Sequence, residues 1–182
     1  MGETMSINLD SLDVRILEVV QNDAMVPLAE LAERTGSSKS VCWRRLQRLL
    51  DEGVIQERVA VLNPQKLGLE VVVFTHVKMS RHSRDVLPRF VEAIRRCPQV
   101  VECHTLMGNW DFLLKIVVRD VAEYEHFFWH QLSQMEGVRE VSSSIAMTRF
   151  VDRTQLPLMH LQSGPQRQAP GLDNRRSGTN GR

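Results

Sequence analysis

The chain has 182 residues, 42% of them apolar and 25% charged, an ordinary composition for one medium or two small globular domains with a hydrophobic core. A formal net charge of +1 gives no hint of a nucleic-acid partner, so any such footprint must lie in how the charge is distributed. The longest apolar stretch, Leu69 to Thr75 broken by Glu70, is far short of the roughly 20 residues that cross a bilayer, and the opening MGETMSINLDSLD has neither a basic n-region nor an apolar h-region; the expectation is a cytoplasmic protein with no membrane partner.

In chain order, Asp10 or Ser11 can cap a first helix with Leu12, Ile16, Leu17 and Val20 at helical spacing, running out near Asn22-Asp23. Pro27 suits the first turn of a short second helix with Leu28, Leu31 and Ala32 on its apolar stripe, and Gly36 stops it. Ser37 or Ser38 then caps a third helix to about Glu52, with Val41, Cys42, Leu46, Leu49 and Leu50 on one side. Its other side is polar and cationic. Residues 1–63 carry seven Lys+Arg against ten Asp+Glu, yet Lys39, Arg44, Arg45 and Arg48 fall in ten residues without an acid. Two helices joined by a tight glycine turn, the second bearing exposed cations, suit insertion of a helix into a major groove. The alternating segment Val54 to Leu62 reads as a strand, a wing, ended by Asn63-Pro64.

After a linker at 64–68 the pattern changes. Strands are expected around 69–79, 100–106, 111–118 and 138–150, and helices around 86–96 and 121–134. The order βαββαβ is the split βαβ of ferredoxin-like domains, and Met107-Gly108-Asn109-Trp110 makes the turn between the middle strands. One face of such a sheet is covered by helices; the other would expose apolar surface, so pairing of two copies through the sheet is expected. The fold class is therefore α+β, a winged helix-turn-helix (1–63) followed by a ferredoxin-like domain (69–158). Residues 159–182 are rich in Gly, Pro, Gln, Arg and Asn without periodicity and read as a disordered basic tail; from Arg153 onward there are five Arg and one Asp.

The segments LDSLDVRILEVVQND, LAERTG, CWRRLQRLLDEGVI and LNPQKLG, in this order and spacing, resemble the Lrp/AsnC feast-or-famine regulators. So does FVEAIRRCPQVVECHTLMGNWDFLLKIVVRDVAEYEHFFWHQL with its Gly-x-x-Asp turn at Gly108 to Asp111, followed by SSSIAM and TQLPL. The resemblance covers about Leu9 to Leu158. It implies a sequence-specific DNA-binding transcriptional regulator, homodimers assembling into octamer-like rings, and a small molecule, usually an amino acid, bound at contacts between dimers. Where the family often starts its recognition helix Ser-Pro-x-Pro-Cys, this chain has Ser38-Lys39-Ser40-Val41-Cys42, which leaves the operator sequence open. The Cys42-Trp43-Arg44-Arg45 helix and the Ser-Ser-x-Ala-Met strand are similar to a branch that responds to cysteine and controls its breakdown.

The candidate DNA-binding residues are Ser38, Lys39, Ser40, Trp43, Arg44, Arg45, Gln47 and Arg48. Arg44 and Arg48, four apart, share a helix face from which a guanidinium reaches guanine or phosphate; the plainer alternative is a solvated face pairing with Asp51 or Glu52. Ser38, Lys39 and Ser40 suit phosphate at a helix N-terminus, though capping alone accounts for the serines. Trp43 can touch a thymine methyl or pack on the wing, and Arg45 can serve the domain's own packing. By resemblance, Gly108 and Asp111 border the effector site, with Leu106, Asn109 and Trp110 shaping it and Ser142 and Ser144 supplied by a neighbouring subunit; the alternative is that Gly108 only makes the turn and Asp111 only caps it.

Cys97, Cys103 and His104 raise a metal or thiol sensor, but Cys103 and His104 are adjacent on a strand and point to opposite faces, so no metal site and no cofactor are expected. Three cysteines without scaffold spacing suit free thiols. No Ser-His-Asp, paired-carboxylate, phosphate-loop or HExxH arrangement appears, and no enzyme is expected. A ligand-indifferent DNA-wrapping protein and a thiol- or metal-based redox sensor stand as the alternatives.

Overall fold

The computed structural model describes residues 7–80 and 86–162. The chain forms two units: one from the N-terminal residues to Ala60 together with the segment from Arg153, the other from Val61 to Asp152. The expected tail at 163–182 lies outside the described residues.

In the first unit, Asp10 accepts from the backbone N–H groups of Leu12 and Asp13 while the Asp13 carboxylate accepts from the Asp10 N–H. This capping box starts α1 (Ser11–Val20). Pro27 occupies the N-cap of α2 (Leu28–Thr35), one position ahead of the expected first turn, and Gly36 closes that helix in the left-handed conformation at φ 63°. Ser38 Oγ accepts from the Val41 N–H, 3.3 Å, and starts α3 (Lys39–Asp51). Ile16, Leu17, Leu31, Ala32, Cys42, Leu46 and Leu49 form one core between the three helices, each large side chain contributing roughly 1.5–3 kcal/mol on burial.

Two expectations for this unit are corrected. The segment from Val54 to Leu62 is not a strand. Val54 and Ile55 pack against the three-helix core, but Gln56 onward is exposed, with Val59, Val61 and Leu62 more than two-thirds accessible. Alternation alone does not make a strand; a partner edge must close the hydrogen bonds, and among the described residues none pairs with it. Secondly, the chain after Asp152 returns to the first unit instead of completing the second. Leu158 packs against the three-helix core, the Leu156 N–H donates to Gln21 Oε1 at 3.0 Å, and Met159–Gln162 forms a short helix, α6, beside α1. Residues 159–162 are thus ordered where disorder was expected.

The second unit has the order β1 (Val71–Met79), α4 (Val86–Arg95), β2 (Val100–Thr105), β3 (Phe112–Val118), α5 (Val121–His130) and β4 (Val138–Ile145). The strands lie β2-β3-β1-β4, with every neighbour antiparallel, as a ferredoxin-like βαββαβ domain requires. Period-two alternation sends Val73, Thr75 and Val77 of β1, and Phe112, Leu114, Ile116 and Val118 of β3, into one core with Phe90, Ile94, Tyr124, Phe127 and Leu132. Helix α5 ends at His130, short of the expected 134, and Leu132–Gln134 continues as a 3-10 turn. Strand β4 ends at Ile145 and not at Phe150, because β1 runs out: the Ala146 N–H donating to the Val72 carbonyl is the last rung. Beyond it Met147 and Phe150 are almost fully exposed.

Beneath the sheet, Thr75 is fully buried and its hydroxyl lies 3.2 Å from both Tyr124 Oη and Ser143 Oγ, which also hydrogen-bond each other. The turn into β4 holds Gly137 at φ 83°, where a Cβ would meet Val86 Cγ1 at 2.1 Å. On the opposite, open face lie Phe74, His76, Leu113 and Val117, with an ion pair of Lys115 and Glu102 at 2.5 Å.

Candidate nucleic-acid interface and effector turn

Helix α3 divides its cations between two tasks. Lys39, Ser40, Trp43 and Arg44 are exposed and Gln47 is half-buried, so Ser40, Trp43, Arg44 and Gln47 fall at the i, i+3, i+4, i+7 spacing of one helix face. Arg44 forms no ion pair among the described residues. Ser38, at the N-cap, is exposed but gives its oxygen to the Val41 N–H and lies 3.2 Å from Ser40 Oγ.

Arg45 and Arg48 turn toward α1. Asp13, with no exposed side-chain surface, receives Arg45 Nη1 at 3.2 Å and Arg48 Nη2 at 2.5 Å, in addition to the Asp10 N–H. Arg45 also lies 2.8 Å from Asp10 Oδ2, and Arg48 Nε is 3.9 Å from Glu52 Oε2. Backbone hydrogen bonding from Asp13, with the Arg45 charge beside it, holds the Asp10 carboxyl below its ordinary pKa. Asp13 was not singled out in the sequence, although Asp10 and Asp13 have capping-box spacing; its link to residues 32 and 35 positions later is non-local and leaves no mark in the pattern.

In the second unit the turn between β2 and β3 closes through the Leu106 N–H donating to the Asp111 carbonyl at 2.9 Å, and Gly108 takes φ 150°. Gly108, Asn109 and Asp111 are exposed. One Asp111 carboxylate oxygen accepts from the Met79 N–H at 2.7 Å, and its backbone N–H donates to the Val77 carbonyl, so Asp111 ties the turn to the end of β1. The Trp110 ring lies against His76 at 5.6 Å between centroids, and His76 stands opposite Ser142 on β4. Trp110, His76 and Ser142 therefore form a row across the open face; Ser144 lies further along, opposite Phe74. His76, absent from the sequence candidates, joins them through strand register that composition does not disclose. Cys97 is buried, which pushes its thiol pKa up, and it contacts the Ala93 carbonyl. Neither feature favours thiolate chemistry.

Residues 9–56 match the family model for winged helix-turn-helix DNA-binding and residues 72–156 that for the Lrp/AsnC ligand binding domain. The glutamate uptake regulatory protein of Zymomonas mobilis is 37% identical over 161 residues, 88% of this chain and 98% of that protein. The chain belongs to the Lrp/AsnC family of transcriptional regulators. Among solved members, the AsnC family regulator from Agrobacterium tumefaciens is 39% identical with a TM-score of 0.80, covering 84% of this chain and 99% of its own. A regulator from Neisseria meningitidis, crystallised as a complex with L-Met, is 34% identical with a TM-score of 0.81, covering 85% and 99%. The Lrp/AsnC assignment thus spans both units, and no helix among the described residues is long and apolar enough to cross a membrane.

Proposed function

We propose that this Lrp/AsnC regulator binds double-stranded DNA through the outward stripe of α3 and changes operator occupancy when an amino acid binds at the β2–β3 turn. The observation that carries the reading is the division of α3. Arg45 and Arg48 are held by the buried Asp13, whereas Ser40, Trp43, Arg44 and Gln47 face outward with Arg44 uncommitted. Lys39 and the Ser38 end of the helix take phosphate, and Arg44 reads a base edge. Arg45 and Arg48 position the helix and touch phosphate at most with their remaining N–H groups. The protein acts in the cytoplasm as a regulator, not as an enzyme.

The effector is an amino acid held near Gly108, Asn109, Trp110 and Asp111, with Leu106 at the rim and Ser142 and Ser144 from a neighbouring copy. Asp111 keeps one carboxylate oxygen for an α-ammonium group while the other holds Met79. Cysteine and methionine are the first to test, cysteine from the α3 and β4 sequence and methionine from the L-Met complex of the Neisseria relative. Homodimers, assembling further to octamers, cover the open sheet face and supply an edge for 54–62, whose Val59, Val61 and Leu62 are otherwise in water.

A duplex selected from random sequence by the full-length protein tests the first half. Arg44→Ala is expected to weaken binding to it by roughly 1–3 kcal/mol and relax one base position; unchanged affinity and sequence preference would remove α3 from the reading. A thermal-shift series of the twenty amino acids tests the second half, since a ligand at ~100 times its Kd adds about 2.7 kcal/mol. A shift with one amino acid, lost in Asp111→Ala, supports the turn, and no shift with any would leave the ligand-indifferent architectural protein as the better account.

A further inference from the structure

Helix α5 buries Tyr124 and Phe127 against the sheet and turns another side outward. His126 and His130 are both exposed there, and neither belongs to the core of the second unit or to the effector turn. Four residues apart, they stand one above the other on the helix. Their ring centroids are 4.3 Å apart and their planes lie within 18° of parallel.

The hydrogen bonding of His130 decides which of its nitrogens is available. Its Nδ1 lies 3.0 Å from the His126 carbonyl oxygen, and a carbonyl only accepts, so Nδ1 carries the proton. The lone pair of the neutral ring is then on Nε2, the nitrogen farther from the backbone. An imidazole whose other N–H is held by a backbone carbonyl has the orientation and tautomer of a metal ligand. The His126 ring has no hydrogen bond among the described residues, so it can turn a nitrogen toward the same ion. Charge favours a cation at this place. Helix α5 ends at His130, where the carbonyl end of the helix dipole attracts positive charge, and from Val121 to Gln134 there are Glu123 and Glu125 but no Lys or Arg.

We propose that His126 and His130 form a binding site for a divalent transition-metal ion, held by one ring nitrogen of each at about 2.0–2.1 Å, with water in the remaining positions. Imidazole donors suit zinc, copper and nickel, whereas magnesium and calcium take oxygen ligands. Because both ligands sit on one helical segment, binding at the first raises the effective concentration of the second. No group of three or more His, Cys, Asp or Glu gathers among the described residues, so the site is open to solvent and exchangeable, unlike a closed four-ligand structural site. The inference stands apart from DNA binding and from the amino-acid site.

Nickel would be titrated into the untagged full-length protein and into His126→Gln, His130→Gln, His130→Asn and His104→Gln, by calorimetry and by imidazole 1H–15N spectra, with magnesium as the hard-ion control. The His126 and His130 ring signals are expected to broaden first. Each substitution at 126 or 130 should weaken nickel binding by at least about tenfold, since the loss of a mere outer-shell partner already costs that much. His130→Asn can still donate to the His126 carbonyl but offers no ring nitrogen, so it should lose binding as fully as His130→Gln; binding retained in it overturns the proposal. His104→Gln should keep wild-type affinity. Nickel should also raise the melting temperature of the wild type and not of the 126 and 130 variants, because only the folded helix holds the two rings together. Equal nickel affinity in the wild type and the 126 and 130 variants overturns the site, leaving the stacked pair as surface packing. So does loss from only one of the two histidines, which would mean a single ligand and no chelate. Loss in His104→Gln instead, or equal binding of magnesium, overturns it as well.

Discussion

Asp13→Ala removes the buried acceptor that joins the start of α1 to both Arg45 and Arg48 of α3. Breaking a buried ion pair by deleting one partner costs about 3–5 kcal/mol when the survivor has nowhere to go. Here Arg45 keeps Asp10 at 2.8 Å, Arg48 keeps Glu52 at 3.9 Å, and the two side chains are 25% and 35% exposed, so the ion-pair share falls to about 2 kcal/mol. Loss of the Asp13 half of the capping box adds about 0.5–1 kcal/mol. The expected total is roughly 2.5–3 kcal/mol, or about 10–20 °C in the melting of a unit of this size. Native-state hydrogen exchange of the α1 and α3 amides reads the effect locally, apart from the second unit. A double-mutant cycle of Asp13→Asn with Arg48→Gln should show coupling well above the 0.3–0.5 kcal/mol scatter of independent sites. If the two effects simply add, or if Asp13→Asn moves α3 protection by less than about 0.5 kcal/mol, Asp13 does not hold the helix and the division of α3 into inner and outer arginines is wrong.

Gly137→Ala should destabilise the second unit by about 2–4 kcal/mol in urea unfolding, since its φ of 83° disfavours any side chain and the new Cβ would fall 2.1 Å from the buried Val86. Gly108→Ala serves as its control: its Cβ meets open space, so only the backbone cost of about 1–3 kcal/mol remains. Asp10 predicts a pH effect. Its folded pKa is depressed, so its stabilising contribution is complete above the ordinary value of 3.8 and is lost as pH falls through the lower folded pKa. Asp10→Asn retains a good N-cap but cannot titrate, and its stability should fall less steeply than wild type below pH 3.8; parallel acid limbs would remove Asp10 from that account.

What the sequence disclosed follows the range of the interaction. Helices α1 and α3 were legible through local signals, Asp10 and Ser38 as caps and Leu46 and Leu49 as core, all within one or two turns. Strand β3 was legible because Phe112, Leu114 and Ile116 alternate strictly. The larger differences involve partners distant in the chain, whereas the shift of Pro27 to the N-cap and the early end of α5 at His130 are local. Val54 to Leu62 has the alternation of a strand but, among the described residues of the chain, no edge to join. Strand β4 stops where β1 stops, which residues 146–150 cannot report. Leu158 looked like the end of the second domain because its core partners lie well over a hundred positions earlier. At the candidate site, Arg44 and Arg48 were equivalent by spacing, and only the fold distinguishes them, by placing Asp13 under one and water over the other.

That distinction separates two kinds of change in the recognition helix. On the proposed reading of α3, substitution at Ser40, Trp43, Arg44 or Gln47 is expected to alter which bases are favoured while leaving Asp13, Arg45, Arg48 and Leu49 to hold the helix in place. Relatives that share this scaffold can therefore diverge in target sequence with little loss of folding stability, and a designer could exchange the four outward residues as a cassette. The same separation limits the opposite experiment: a charge-reversing change at Arg45 or Arg48 confounds foldedness with affinity, and its effect on DNA binding cannot be read without a stability measurement beside it.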